Sequence, residues 1–234
     1  MRRKTALPMR PLFPPWSNTV IRLVLALLAG GAGGGILLLL LYKRTPLATL
    51  QGEPVTQPIE FDHRHHVSDD GIDCRYCHNT VETSSSAGYP ATSVCMNCHA
   101  QIWNQSPYLD LVRKAYFSGQ PIEWKKVHRL PDFVYFNHSI HVAKGVGCVT
   151  CHGRVDEMAE IRQGPNMQMS WCLDCHRNPK PNIRPRQYIT AMVEEAPGQG
   201  TIEAHFSESG SGTAQNPQTM SDVHSRTSCT TCHR

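Results

Sequence analysis

The chain has 234 residues, a formal net charge of +4, 18% charged and 7% aromatic residues, and 17 each of glycine and proline. So few aromatics and so many turn formers exclude a large side-chain core for this length. The positive charge does not indicate nucleic acid. Five of the 23 basic residues precede or border an N-terminal apolar run, which leaves 18 basic against 19 acidic residues for the remainder.

Residues 1–20 read as a basic cytoplasmic flank with Arg2, Arg3, Lys4 and Arg10. Residues 21–42 read as one transmembrane helix, because Leu23 to Leu41 is an unbroken apolar run. At about 1.5 Å per residue such a run spans roughly 28 Å, close to the hydrocarbon thickness of a bilayer. A cleaved signal peptide is the competing reading, but its apolar core is usually shorter and is followed by a small-x-small site. Here the run ends in Leu40-Leu41-Tyr42-Lys43-Arg44, and no acidic residue occurs before Glu53. The excess of basic residues on the N-terminal side orients the rest of the chain outside the cytoplasm, on the periplasmic face of a bacterial inner membrane. The pairs Gly30/Gly34 and Gly31/Gly35 offer a close-packing face for another membrane helix, although lipid-facing helices also tolerate glycine.

Residues 43–60 read as a polar tether. Beyond it, all ten cysteines fall in five Cys-x-x-Cys-His motifs: Cys74/Cys77/His78, Cys95/Cys98/His99, Cys148/Cys151/His152, Cys172/Cys175/His176 and Cys229/Cys232/His233. Zinc ribbons and disulfide frameworks use paired cysteines but do not require histidine at the next position five times. The pattern is that of covalent heme c attachment, in which two thiols bond the porphyrin and the adjacent histidine reaches the iron. Five hemes c are therefore expected, attached outside the cytoplasm.

The chain repeats itself. Phe61-x-His63-x-x-His66 precedes the first motif and Phe136-x-His138-x-x-His141 precedes the third. Ser93-Val-Cys95 and Ser170-Trp-Cys172 open the second and fourth. The organisation is a two-heme unit with a connecting helix at 61–135, a second two-heme unit at 136–181, and an extended segment with a fifth site at 182–234. Residues 101–117 have the spacing of one amphipathic helix. Residues 177–200 are proline-rich and extended, and 206–223 form a polar linker. Short helices carry the motifs, and strands are few.

Each iron has a second axial position. His63 and His66 are three apart, as are His138 and His141, so each pair shares a helical face and can serve two different irons. His128 is a further candidate, and Met169, three residues before Cys172, a thioether candidate. A methionine near a heme is more often packing. His65 faces solvent or a propionate, and His205 and His224 sit in weakly patterned sequence.

The two Phe-x-His-x-x-His elements resemble multiheme cytochromes of the c3/c7 (class III) type. The stretch Trp124-Lys-Lys-Val-His128-Arg-Leu-Pro, the run to Gly153, and Met169-Ser-Trp-Cys172, together with the anchor and five sites, are similar to the pentaheme subunit (ActA) of bacterial alternative complex III. The resemblance implies a mostly irregular, small-α, class III-like multiheme cytochrome c with five hemes, tethered by one N-terminal transmembrane helix. It also implies that His63 serves the heme at Cys74 and His138 the heme at Cys148. The implied role is a non-catalytic relay in a quinol:electron-acceptor oxidoreductase. Its implied neighbours are an iron–sulfur/molybdopterin-like subunit, a polytopic quinol-oxidising membrane subunit, and a monoheme cytochrome c, copper protein or terminal oxidase as acceptor. Three rival readings are a self-contained membrane-anchored quinol dehydrogenase of the tetraheme type, a multiheme adapter of another molybdoenzyme-like complex, and a catalytic multiheme reductase. The last needs an iron with an open site, which the many spare histidines argue against.

Overall fold

The computed structural model describes residues 12–197, 199 and 223–233. The linker expected over 206–223 lies almost entirely outside them, as does His205. The chain divides into two compact units, one ending at Thr49 and one beginning at Leu50.

In the first unit, α1 runs from Ser17 to Tyr42. It starts after Pro14 and Pro15, where the Ser17 hydroxyl donates to the Pro14 carbonyl at 2.7 Å. Its 26 residues make it about 39 Å long, and it buries none of its side chains. Such a helix is long and apolar enough to cross a bilayer. A Cβ on any of its five glycines would meet nothing within 4 Å, so this face is open to a neighbour. The short helix α2, Pro46–Thr49, closes the unit.

The second unit is built from short helices joined by irregular chain. Among the described residues its only β-type pairing is three isolated bridges, Gln51 with Gln163, Pro54 with Arg162 and Val146 with Ile183. Two of these involve residues expected as free tether. Val55 N–H donates to the Ile161 carbonyl at 3.0 Å, and the Gln57 amide pairs both ways with the Lys125 backbone at 2.9 and 3.0 Å. Residues 51–57 are thus part of the folded unit, because these paired polar groups satisfy the backbone.

The single helix expected over 101–117 is also shorter. A 3₁₀ turn at Pro107–Leu109 leads into α5, Asp110–Ser118. Pro107 supplies no N–H, Trp103 takes a left-handed φ of 58°, and Arg113 reaches back to the Asn104 and Ser106 carbonyls at 2.7 and 2.9 Å. These features fold 103–106 into a turn that the hydrophobic spacing did not reveal. Leu109 of the 3₁₀ turn and Val112 and Ala115 of α5 are buried, and α5 packs on the helix carrying the second motif.

The other buried group surrounds the third motif and contains Val149, Ile183 and Ile189. At its centre Arg184 is 1% exposed. Its guanidinium donates to the Ala191 and Glu194 carbonyls at 3.3 and 2.5 Å, and its backbone N–H to Gly145 O at 2.8 Å. Gly145 has φ +86°, and a Cβ there would lie 2.9 Å from the Arg184 carbonyl. At Gly147 a Cβ would lie 2.7 Å from the Arg184 side chain. Glycine at both positions lets the 183–191 strap lie flat beneath the third motif.

Gly145→Ala is therefore expected to cost about 1–3 kcal/mol through strain and overpacking. Gly52→Ala, which shares a positive φ of 79° but has open space around it, should cost less. Denaturant melts of the detergent-solubilised full chain would check both.

Candidate heme sites

All five Cys-x-x-Cys-His motifs sit on short helices: α3 (Cys74–Cys77), α4 (Thr92–His99), α7 (Cys148–His152), α8 (Met169–Arg177) and α9 (Cys229–Cys232). One helical turn puts cysteines three apart on a common face, with the histidine directly after them. Residues just before the helices, Asp73, Ala91, Gly147, Gln168 and Ser228, are extended. Asp73 is a true N-cap. Its carboxylate accepts from Arg75 N–H at 2.9 Å and from the Thr190 hydroxyl at 2.8 Å. The Arg75 side chain beside it holds the Asp73 carboxyl well down, at about 2.

The upstream histidines come to the motif histidines in pairs. His66 and His99 have ring centroids 6.2 Å apart, His141 and His176 6.0 Å, and His138 and His152 6.3 Å. The duplication seen in the sequence is repeated in three dimensions. Phe61 meets His63 edge-on at 4.8 Å and stacks on His66 at 4.4 Å. Phe136 does the same to His138 and His141 at 4.8 and 4.5 Å. The two copies differ in backbone: a π-helix, Arg64–Asp69, follows His63, whereas the second copy is the α-helix α6, His138–Ala143.

Second contacts fix the orientation of these rings. His78 Nδ1 donates to Gly88 O at 2.8 Å, His99 to Ile102 O at 3.1 Å, His176 to Arg226 O at 3.0 Å and His233 to Phe133 O at 3.1 Å. His66 donates to Asp62 O at 2.9 Å, His138 to Ser85 O at 2.9 Å and His141 to Asn137 O at 2.7 Å. A carbonyl only accepts, so Nδ1 carries the proton and Nε2 presents its lone pair, as a metal-ligating imidazole requires. Burial separately disfavours the charged form of three rings, and the Nδ1 of one of them, His63, is buried without a hydrogen-bond partner. Burial lowers His63 to about 4 and His152 to about 3, with the neighbouring histidines adding to the effect. His141 is lowered as well, first by burial. These imidazoles are neutral near pH 7.

The spacing fits a heme iron. Two metal–nitrogen bonds of about 2 Å each, plus the distance from each Nε2 to its ring centre, match a centroid gap of 6.0 to 6.3 Å. Among the described residues no group of three or more His, Cys, Asp or Glu converges as a metal cage. The histidines are arranged in pairs, which suits an ion whose other ligands come from a porphyrin. The protein's own core is thin, and Tyr76, Tyr89, Phe133, Tyr135 and Phe136 stay exposed around the motifs. Large apolar cofactors would find surface to cover there.

The thiols are mutual neighbours. The Cys74 and Cys148 thiols are in hydrogen-bonding contact, which lowers Cys74 and raises Cys148. Burial raises Cys77, with Cys95, Cys74 and Cys98 close by. It pushes Cys151 up to about 12, with Cys175 and Cys172 close by. Cys172 is raised by burial and has Cys232 nearby.

The remaining candidates fall elsewhere. The His128 ring is edge-on to His152 at only 4.4 Å, nearer than those pairs, and its Nε2 is buried without a hydrogen-bond partner. Met169 opens α8 and is 65% exposed. His65 turns toward Asp69 and Asp70 at 3.5 and 3.6 Å. The Phe133 ring lies 5.7 Å from that of His233, tilted to it. Sequence reasoning missed the orienting carbonyls of Ser85, Gly88, Ile102, Phe133 and Arg226. Every residue has a carbonyl, so no side-chain signal could have marked them. Arg184 was missed too, since a lone arginine in a proline-rich stretch reads as surface.

Residues 134–234 match the family model described as cytochrome c7 and related cytochrome c. A stretch of 97 residues is 37% identical to the menaquinone reductase, multiheme cytochrome c subunit, of Nitratidesulfovibrio vulgaris. That stretch is 41% of this chain and 45% of the relative, so the chain matches less than half the relative's length. Both likenesses are to proteins of the cytochrome c type, and each covers under half of this chain.

Asp73→Ala is expected to cost about 1 kcal/mol, the usual loss for an N-cap. The folded-state carboxyl lies below its ordinary value of 3.8, so its contribution is present above that pH and lost as pH falls toward 2. Denaturant melts should show wild type and variant differing at pH 7 and converging in acid.

Proposed function

We propose that the chain is a membrane-anchored electron-transfer relay holding five covalently attached hemes c. The observation that carries this reading is the set of imidazole pairs at 6.0 to 6.3 Å. A c-type heme, when bound, supplies a one-electron iron couple. The protein's residues do the rest. Cys74/Cys77, Cys95/Cys98, Cys148/Cys151, Cys172/Cys175 and Cys229/Cys232 anchor the five porphyrins. His78, His99, His152, His176 and His233 ligate from one side. His63, His66, His138 and His141 ligate the first four sites from the other, in the pairs His63/His78, His66/His99, His138/His152 and His141/His176. A histidine on each side of a bound group would leave no room for a small substrate, which favours a carrier over a reductase. His128 packs against the third site, and the fifth draws its second ligand from outside these four pairs.

The anchor is α1, with its N-terminus cytoplasmic and the heme unit on the periplasmic side, as the basic flank favours. The working partners are a polytopic quinone-reactive membrane subunit, an iron–sulfur/molybdopterin-like subunit, and a monoheme cytochrome c or another periplasmic acceptor, as in alternative complex III. A second reading follows from the name of the N. vulgaris relative, a menaquinone reductase subunit. In that case the chain passes electrons toward quinone rather than away from it.

Purification in mild detergent, with mass spectrometry of the retained proteins, tests the partner set. Recovery of the chain alone, still oxidising quinol, would overturn the relay reading. Mixing the complex with quinol or with a reduced periplasmic cytochrome, and watching which one reduces the hemes, separates the two directions. Intact mass should show five porphyrins. His66→Ala should keep all five and convert one centre from low to high spin by electron paramagnetic resonance. An unchanged spectrum would remove His66 from the ligand set.

A further inference from the structure

We infer that the five sites form one open row in the order second, first, third, fourth, fifth, with Cys95–His99 and Cys229–His233 as its ends. This rests on the reading of the motifs as heme sites, and deepens it by giving them a spatial order different from their order in the chain.

The second site adjoins the first through one short element. The turn that begins at His63 brings His66 to His99 with ring centroids 6.2 Å apart, and Phe61 packs on both His63 and His66. Side chains of the two motif helices also touch: Asn97 Nδ2 donates to the Tyr76 hydroxyl at 3.0 Å.

The first site adjoins the third through two separate straps. In the loop 84–88, Gly88 O orients His78 at 2.8 Å. The same loop's Ser85 O accepts from both the backbone N–H and Nδ1 of His138 at 3.1 and 2.9 Å, and Ser84 O accepts from Ser139 N–H at 3.1 Å. The proximal histidine of one site and the upstream histidine of the other thus hang on a single loop. The second strap is Ile189–Thr190: Ile189 O accepts from Cys148 N–H at 2.9 Å, and the Thr190 hydroxyl donates to Asp73 at 2.8 Å. Between the straps the Cys74 and Cys148 thiols meet.

The third site adjoins the fourth through α6, whose His138 and His141 face His152 and His176. The fourth adjoins the fifth through a two-way bond. Arg226 N–H donates to His176 O at 3.1 Å, and His176 Nδ1 donates to Arg226 O at 3.0 Å, three residues before Cys229. Tyr135 N–H donates to Cys232 O at 2.8 Å and ties the fifth motif to the chain just before Phe136.

The two duplicated units therefore meet by their first motifs, head to head. Head-to-tail joining would have placed the second site in the middle and the first at an end. The exposure of the cysteines agrees: Cys98 and Cys229 are exposed, whereas the other eight are partly covered. A redox partner therefore approaches at the second or fifth site, while the first and third are interior.

The test is a cryo-electron microscopy structure of the heme-loaded full chain in detergent or in its native complex, read for which irons are neighbours. The expected nearest neighbours are second–first, first–third, third–fourth and fourth–fifth. The inference is overturned if the second iron lies next to the third, fourth or fifth, or if the fifth lies beside any iron but the fourth. Heme quantification on the same sample separates the two claims: fewer than five hemes sinks the site reading, whereas five hemes in another order sinks only this inference.

Discussion

The arrangement of the second unit depends on one constraint: imidazoles must be brought together in pairs across a fixed gap with their Nε2 lone pairs free. Seven histidines satisfy the orientation half of this requirement by donating Nδ1–H to a backbone carbonyl. That bond sets the tautomer and the tilt of the ring before any metal arrives. Burial keeps His63, His141 and His152 uncharged. The loops 84–88 and 223–226 are irregular because their task is to deliver carbonyls to rings, which no regular ladder does.

The thin core follows from the same constraint. The buried apolar residues form small groups, one under α5 and one around Val149, Ile183 and Ile189. The second group is organised by a charge. Arg184 is held by the carbonyls of Ala191 and Glu194, and glycines at 145 and 147 let it approach. Burying a guanidinium is costly, and neutral carbonyl partners offset only part of that cost. Its place is beneath the third motif, where the 183–191 strap joins the two duplicated halves.

The duplication carries the geometry of a site more faithfully than the backbone that presents it. Phe61 and Phe136 hold their histidine pairs at nearly the same distances and angles, yet one copy is a π-helix and the other an α-helix. What is repeated is the wedge of an aromatic ring stacked on the second histidine and edge-on to the first. The extra residue in the π-turn is absorbed where no ring contact depends on it.

The sequence by itself determined the five motifs, the apolar span and the duplicated Phe-x-His-x-x-His elements, because all three are local patterns of side-chain type and spacing. It also marked His63, His66, His138 and His141, since two histidines three apart must share a helical face. It could not say which distant segments meet. The helix expected over 101–117 shrank to Asp110–Ser118 because Arg113 bonds to carbonyls seven and nine residues away. Residues 51–57 joined the folded unit through partners more than 60 positions along the chain. The head-to-head meeting of the first and third motifs, the carbonyls behind seven of the rings and the burial of Arg184 were decided only by tertiary structure. Each depends on backbone groups that every residue carries, and on a proximity that no local pattern encodes.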